Sequence, residues 1–405
     1  MSDVIIIGGG ASGLMAAVSA LECGKTVTVF NKHKQLGKKL LISGKGRCNV
    51  TNNCSFDELF DNIPNNSRFL YSAFNSFSNF DTIDFFQTNG TPLKTERGNR
   101  VFPVSDKSFD ILAVFERLLN NKVNYVYKEV TEIVIENNIA VGVKVDGKCY
   151  YADNVIVATG GLSYPKTGST GDGYKFAKSV GHTVTKLSPS LSALISQNNY
   201  CAEMMGLSLK NVAITLFENE KKIYSDFGEM IFTHFGVSGP IILSASAHIK
   251  DFNKYKYRIS IDLKPALDEK KLNERILRDF YETLNKDFSN SLSKLLPSKM
   301  IPVIIQLSEI PADLKVNSIT KIQRERLVQL IKKFPVEITD FRTIDEAIIT
   351  RGGVSVKEIN PKTMESKICP HLFFVGEVLD LDAYTGGFNL QIAFSTGYTA
   401  GQNLY

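Results

Sequence analysis

An α/β fold, with a parallel-sheet domain assembled from both ends of the chain around a two-part insert, is what three features of the sequence predict. A strand, a glycine turn, a helix and a second strand open the chain. A strand, a glycine-rich turn and a helix close it, and between them, from about Leu191, the texture changes to alternating strands followed by charged helices. The expected division is residues 1–190 with 351–405 for the parallel-sheet domain, 191–265 with 334–350 for a β-rich insert, and 266–333 for a helical insert.

Val4-Ile5-Ile6-Ile7 is a β-branched run of the kind buried on both faces of a parallel sheet. Gly8 to Gly13 supply the turn, Leu14 to Cys23 form a small-residue helix closed by Gly24, and Thr26 to Phe30 return as a strand. Such a βαβ unit implies a right-handed crossover. After a basic stretch from 32 to 47, residues 56–120 are expected to be mostly helical, with a polar loop at Asn89 to Arg100. Strands follow at Val123 to Tyr127, Glu132 to Glu136, Ile139 to Val145 and Val155 to Ala158, with Asp146-Gly147 as a hairpin turn. The β-rich insert shows strands at Val212 to Phe217, Lys222 to Tyr224 and Tyr257 to Asp262. Pro297, Pro302 and Pro311 divide the stretch from Asp268 to Lys333 into short helices. Strands resume between Val336 and Ile349, and the strand Leu372 to Val375 leads through a glycine-rich turn into a helix over Asn389 to Ala400.

Composition narrows the class. With 405 residues, 43% hydrophobic and 22% charged, the chain is neither disordered nor fibrous, and its length predicts two or three domains. The 47 basic residues against 42 acidic ones suit an anionic ligand, but so mild an excess does not diagnose a nucleic-acid protein. The six cysteines, at 23, 48, 54, 149, 201 and 369, form no CxxC pair and no Cys/His cluster at metal spacing, so no metal site is expected and a reducing cytoplasm is the expected location. The apolar run Val4 to Leu21 follows Met1, Ser2 and Asp3 instead of a basic segment, and contains three consecutive glycines; it is expected to be neither a signal peptide nor a membrane span.

Gly8-x-Gly10-x-x-Gly13 follows an apolar strand and opens a helix, the context in which one glycine makes the turn, one lets a pyrophosphate approach the backbone and one permits helix packing. The anion then sits on the helix N-terminus; the alternative is a purely structural glycine turn. At the end of the second strand, where an acid would bind ribose hydroxyls, stands Asn31, which retains one hydrogen bond to a hydroxyl. Lys32, Lys34, Lys38, Lys39, Lys45 and Arg47 follow with no acid among them, fitting either a diphosphate site or a solvated loop. Two further turns separate the cofactors. Ala158-Thr159-Gly160 ends one strand; Gly376-Glu377 ends another, before Gly386-Gly387-Phe388-Asn389 opens the last helix. A simple nicotinamide dehydrogenase needs neither, whereas a two-part FAD domain uses the first beside the dinucleotide, the acid for the ribityl chain and the helix start for the ring.

The strings GKKLLISGKGRCNVTN (37–52), GGLSYPKTGSTGDGY (160–174), FTHFGVSGP (232–240) and TRGGVSVKEINPKTMESK followed by LFFVGEVLDLDAYTGGFNLQIAFSTG (350–397) resemble the bacterial flavoproteins grouped as aminoacetone-oxidase-like or bile-acid-reductase-like enzymes. The resemblance runs from residue 3 to 401 and is weakest in the helical insert. It implies an FAD domain of the two-dinucleotide-binding-domains type, Rossmann-like, with a β-barrel-like insert, a small helical domain and FAD bound without a covalent link. It also implies that Ala11, Ser12, Leu40, Ser43, Gly44, Cys48, Asn49, Val130 and Leu390 join Gly8, Gly10, Gly13, Asn31, Lys32, Lys39, Arg47, Ala158, Thr159, Gly160, Gly376, Glu377, Gly387, Phe388 and Asn389 around the cofactor. The chain departs from the pattern at Asn31, usually Glu, and at Lys45, usually Gly.

No catalytic residue is assigned from sequence. His234 is either a proton donor near the ring or a structural hydrogen-bonding residue. Tyr164 and Tyr384 contact ring or substrate, or simply pack. Cys48 and Cys54, spaced Cys-x5-Cys instead of the Cys-x4-Cys of flavoprotein disulfide reductases, are expected as buried small hydrophobes. The 13 basic and 9 acidic residues of 266–333 are expected to be a solvated surface. Two functions remain: an FAD-dependent oxidoreductase acting on a small amine, ketone or unsaturated ring compound, or a nucleic-acid-associated flavoprotein akin to tRNA-modifying enzymes. No second GxGxxG follows an apolar strand, so the flavin is expected to take electrons from the substrate itself or from NAD(P)H that visits transiently.

Overall fold

Val4 to Ile7 carries no polar side chain on either face of its pleat, so it is stable only inside a sheet covered on both sides. The computed structural model, which describes residues 2–405, places it there. The chain divides into two units, one running to Ser190 and joined by Thr343–Tyr405, the other being Leu191–Arg342.

In the first unit, β1 (Ser2–Ile7) runs parallel to β2 (Val27–Phe30), and β2 to β6 (Val123–Val126). On its other side β1 pairs in parallel with β9 (Lys148–Val157), whose far end also pairs in parallel with β18 (Leu372–Phe374). The first half of β9 turns at Asp146-Gly147 into a meander with β8 (Ile139–Val145) and β7 (Glu132–Glu136), giving the order β6-β2-β1-β9-β8-β7. This is a Rossmann-type sheet. Helix α1 (Ala11–Glu22) packs on the C-terminal helix Phe388–Gln402 through small residues: a side chain at Gly397 would overlap the Ser12 carbonyl, and one at Gly401 would press on Ala16.

The polar stretch 89–100 is not the loop expected. Leu93–Glu96 (β4) and Arg100–Pro103 (β5) pair with each other, and β5 with Thr51–Asn52 (β3). The charges of Lys94 and Glu96 masked the pattern, because an edge hairpin tolerates polar side chains on its open face. A second correction concerns 343–350, expected with the insert. Ile349–Arg351 (β17) instead pairs with Ser188–Ser190 (β10) in the first unit.

The second unit is a closed antiparallel barrel in the order β11-β14-β13-β12-β15-β16. Its strands are Leu194–Ser196 (β11), Ser208–Glu218 (β12), Lys221–Thr233 (β13), Gly236–Ser238 (β14), Tyr257–Asp262 (β15) and Phe334–Phe341 (β16). The short helices of 266–333 share one hydrophobic core with the barrel, where Leu272, Ile276, Val303, Leu327 and Ile331 meet Ile214, Phe232 and Val336. No helix among the described residues is long and apolar enough to cross a membrane.

Candidate functional site

The turn between β1 and α1 is built from exclusions. Gly8 has φ +110°, and a Cβ there would sit 2.5 Å from the Ala158 carbonyl oxygen. Gly13 has no room for one against the Gly8 carbonyl. Gly10 differs, since a Cβ there meets no atom within 4 Å. It caps α1 with no side-chain hydrogen bond, and no acid lies in the first helical turn. The result is open space in front of free backbone amides, the requirement for a diphosphate.

Other motif residues converge on this turn. A Cβ at Gly376 would lie 2.6 Å from the Ser12 hydroxyl, and Gly37 N–H donates to the Gly9 carbonyl at 2.8 Å. Asn31 Oδ1 accepts from Gly9 N–H at 3.1 Å while its Nδ2 donates to the His33 carbonyl at 2.7 Å, so this side chain braces the turn at the strand end. Glu377 is the centre of a knot: Lys39 Nζ donates to it at 2.6 Å, the Ser163 hydroxyl at 2.9 Å and Thr350 N–H at 2.9 Å. Lys39 also reaches Ser163 Oγ at 2.6 Å and lies 5.9 Å from the centre of the Tyr164 ring. Three of the four motif strings meet here. Ser163 and Thr350 carry no local signal of this role in the sequence, because the partner of a carboxylate is set by tertiary pairing and not by spacing.

The basic run is less free than it reads. Lys32 pairs with Asp172 and with Glu129, whose neighbour Val130 is buried. Burial pushes the Asp172 carboxyl up, and hydrogen bonds from Lys32 and Thr170 more than reverse this, leaving it below its ordinary value. Arg47 pairs with Glu96 and Asp106 and stacks 4.1 Å from the centre of Phe102. All these acids come from distant segments.

At the start of the C-terminal helix, Gly387 leaves no room for a Cβ against the Thr51 carbonyl, and Thr51 Oγ1 donates to buried Gln391 at 2.6 Å. Asn52 Nδ2 donates to the Gly386 carbonyl at 3.0 Å. Asn389 uses its amide on Ala383, closing the preceding loop, and Tyr384 N–H donates to the Asn62 carbonyl. Beside Phe388 opens a cleft of about 510 Å³ lined by Asn52, Cys54, Glu58, Arg100 and Gly386. Leu390 is half-buried against the core, and Leu40 and Cys48 are fully within it. Ser43 ties this loop by donating to Leu40 and accepting from Cys48 N–H, beside Gly44 in the left-handed region.

Cys48 and Cys54 are both free thiols. Burial pushes Cys48 up to about 12; burial, with Glu58 nearby, pushes Cys54 up to about 11, so neither offers a thiolate at neutral pH. His234 stands exposed at the turn between β13 and β14 of the second unit, its ring edge-on to Phe235.

The chain's residues fit a bound dinucleotide by a separate observation. Thr159 Oγ1, after Ala158 and before Gly160, and Asn49 Oδ1 are buried with no hydrogen-bond partner among the described residues. Such orphans are costly unless a ligand or water completes them.

The HI0933-like protein Rossmann domain matches residues 2–403. Over 99% of this chain and 98% of its own length, a 3-dehydro-bile acid delta(4,6)-reductase of Clostridium scindens is 30% identical. A ribosomal RNA dihydrouridine synthase of Haemophilus influenzae is 30% identical over 98% of this chain and 97% of its own, and one of Escherichia coli 27% identical over 99% and 98%. Among solved structures, 3-ketosteroid delta1-dehydrogenase of Sterolibacterium denitrificans shares the fold at a TM-score of 0.54 and 13% identity, covering 100% of this chain and 99% of that one. The chain belongs to the HI0933-like family and is an FAD-dependent oxidoreductase.

Proposed function

We propose that this enzyme reduces a carbon–carbon double bond conjugated to a carbonyl in an unsaturated ring. The observation that carries the reading is the cleft at the head of the Phe388–Gln402 helix, which Arg100 and Phe388 both line and where the helix start has no side-chain cap. FAD, when bound, supplies the hydride. The Gly8–Gly13 turn holds the diphosphate, Glu377 with Lys39 faces the ribityl chain, and the free amides at Phe388 and Asn389 favour negative charge. Arg100 polarises the carbonyl, so that the charge developing on its oxygen as hydride adds to the β-carbon meets a cation, and solvent water supplies the proton that then completes the α-carbon. The names of the relatives fit this chemistry: the 3-oxo group of a delta(4,6) bile acid and the pyrimidine ring of uridine both conjugate a ring double bond to a carbonyl. An aminoacetone-oxidase-like action, removing hydride from an amine, is the competing reading. NAD(P)H, entering the same cleft and leaving, is proposed as the electron source.

A second reading, in which the ring is a uracil within RNA, is favoured by the two relatives named ribosomal RNA dihydrouridine synthase. The test is anaerobic incubation of reduced holoenzyme with a 3-oxo-Δ4 steroid, free uridine and an unmodified ribosomal RNA transcript, followed by mass spectrometry. Gain of two hydrogens by a ring alkene is expected. Oxidation of amines by the oxidised enzyme, with every ring alkene untouched, overturns the proposal.

A further inference from the structure

One end of the barrel carries charge that the reductase chemistry leaves unused. Strands β12 and β13 meet at the turn Asn219-Glu220, and the loop before β15 is fastened to it: Asn219 N–H donates to the Lys256 carbonyl and Lys256 N–H to Asn219 Oδ1, each at 2.9 Å. Lys250 N–H reaches the Tyr257 hydroxyl, opposite Glu218, at 3.2 Å. This fastening gathers Lys221, Lys222, Lys250, Lys254 and Lys256, all exposed, at one place. The acids present are already engaged. Glu218 accepts from the Tyr257 hydroxyl, Glu220 pairs with Arg258, and Asp251 accepts from Asn253 N–H. None of the five lysines makes an ion pair among the described residues.

The adjoining sheet face has the complementary character. By register, Lys222, Phe217, Arg258 and Glu337 lie across it in one row, Ser225, Thr215 and Ser260 in the next, and Phe227, Ala213 and Asp262 beyond; Glu337 lies 4.0 Å from Arg258 and Asp262 pairs with Lys332. The Arg258 guanidinium lies 4.5 Å from the centre of the Phe217 ring, Thr215 and Ser225 share a hydrogen bond of 3.1 Å, and Phe227 is 51% exposed. Buried Leu216, Ile214 and Val212 show that the alternate residues point inward, so this row pattern is the outer face. A floor of small hydroxyls, an exposed aromatic and unpaired lysines along one edge together provide a base-stacking platform and phosphate contacts. An acidic protein segment uses the lysines but has no need of the platform.

We propose that this end and outer face of the barrel form an RNA-binding surface. The proposal rests on the reading that the substrate ring is carried by RNA, and the experiment separates the two. Full-length holoenzyme is titrated into a fluorescently labelled, single-stranded RNA of mixed sequence over a series of salt concentrations, as wild type, as K222Q/K254Q/K256Q, as the corresponding triple arginine variant, and as Phe227→Ala. Loss of three phosphate contacts is expected to lower the slope of log affinity against log salt by about 2 for a single strand. The arginine variant retains the wild-type slope, and Phe227→Ala weakens binding about 10-fold with the slope unchanged. A glutamine variant with wild-type affinity and slope overturns the surface, even if the enzyme reduces uridine in RNA. Lysine-dependent binding without any dihydrouridine formed leaves the surface standing and removes the RNA reading of the substrate. Binding of the wild type to a poly-glutamate peptide or to phosphatidylserine vesicles but not to the RNA also overturns it.

Discussion

Lys32, Lys39 and Arg47 in the first unit each face a carboxylate, whereas Lys222, Lys254 and Lys256 in the second face none among the described residues. The difference separates two uses of a cation. A paired side chain has its distant field cancelled by its partner, so it fixes geometry: Lys39 pairs with Glu377, and Glu377 in turn accepts from Ser163 and from Thr350 N–H. An unpaired lysine on an exposed barrel end keeps its field and attracts polyanions from solution. In the first region, then, the attraction we propose for the cofactor's diphosphate falls to the backbone amides at Gly10.

The largest effect that tests this contrast is expected at Gly10. Because a side chain there meets nothing in the protein, Gly10→Val should leave the apo-protein's melting temperature within a few degrees of wild type while filling the space the diphosphate needs. FAD affinity is expected to fall at least about 100-fold, roughly 3 kcal/mol, by titration of apo-protein. Retained affinity would show that the lysines hold the diphosphate and that the contrast is wrong.

Lys39→Met should have a smaller effect, because it leaves Glu377, only 15% exposed in its side chain, without its cation. About 1–2 kcal/mol of stability is expected to be lost in urea unfolding, after allowing for partial solvent screening. Lys222→Met, by contrast, should change stability by less than about 0.5 kcal/mol. Equal losses would mean that the barrel lysine also has a partner.

The smallest effect is one of pH. Asp172 has a folded-state value below its ordinary 3.8, so the stability it contributes is present above that ordinary value and is lost as pH falls through the lower folded one. Lys32→Met should therefore melt below wild type at neutral pH, and the gap should narrow once pH drops under 3.8. A gap that is constant down to acid would exclude this pair as its source.

Much of the first unit was legible because its signals are local. The Gly8–Gly13 turn, the strand ending at Val157 and the Gly387 helix start each declare themselves by residues next to one another, and their φ values and close approaches are what those glycines permit. What stayed hidden is non-local. Nothing near Lys32 or Arg47 in the chain announces Asp172 or Asp106, which arrive from 140 and 59 residues away. The β4–β5 hairpin hid behind its edge charges, and β17 behind a partner strand 159 to 163 residues earlier in the chain. At the barrel, Lys221 and Lys222 looked unremarkable until the Asn219–Lys256 hydrogen bonds brought the later lysines beside them.

The most direct test of the proposed reaction is anaerobic single-turnover mixing of the reduced holoenzyme with a conjugated ring alkene, followed by flavin absorbance. Return of the oxidised flavin spectrum without oxygen, at a rate that saturates with alkene and falls about 100-fold in Arg100→Met, is the predicted result. A flavin that stays reduced with every ring alkene supplied, and is reoxidised only when oxygen enters, would contradict the account.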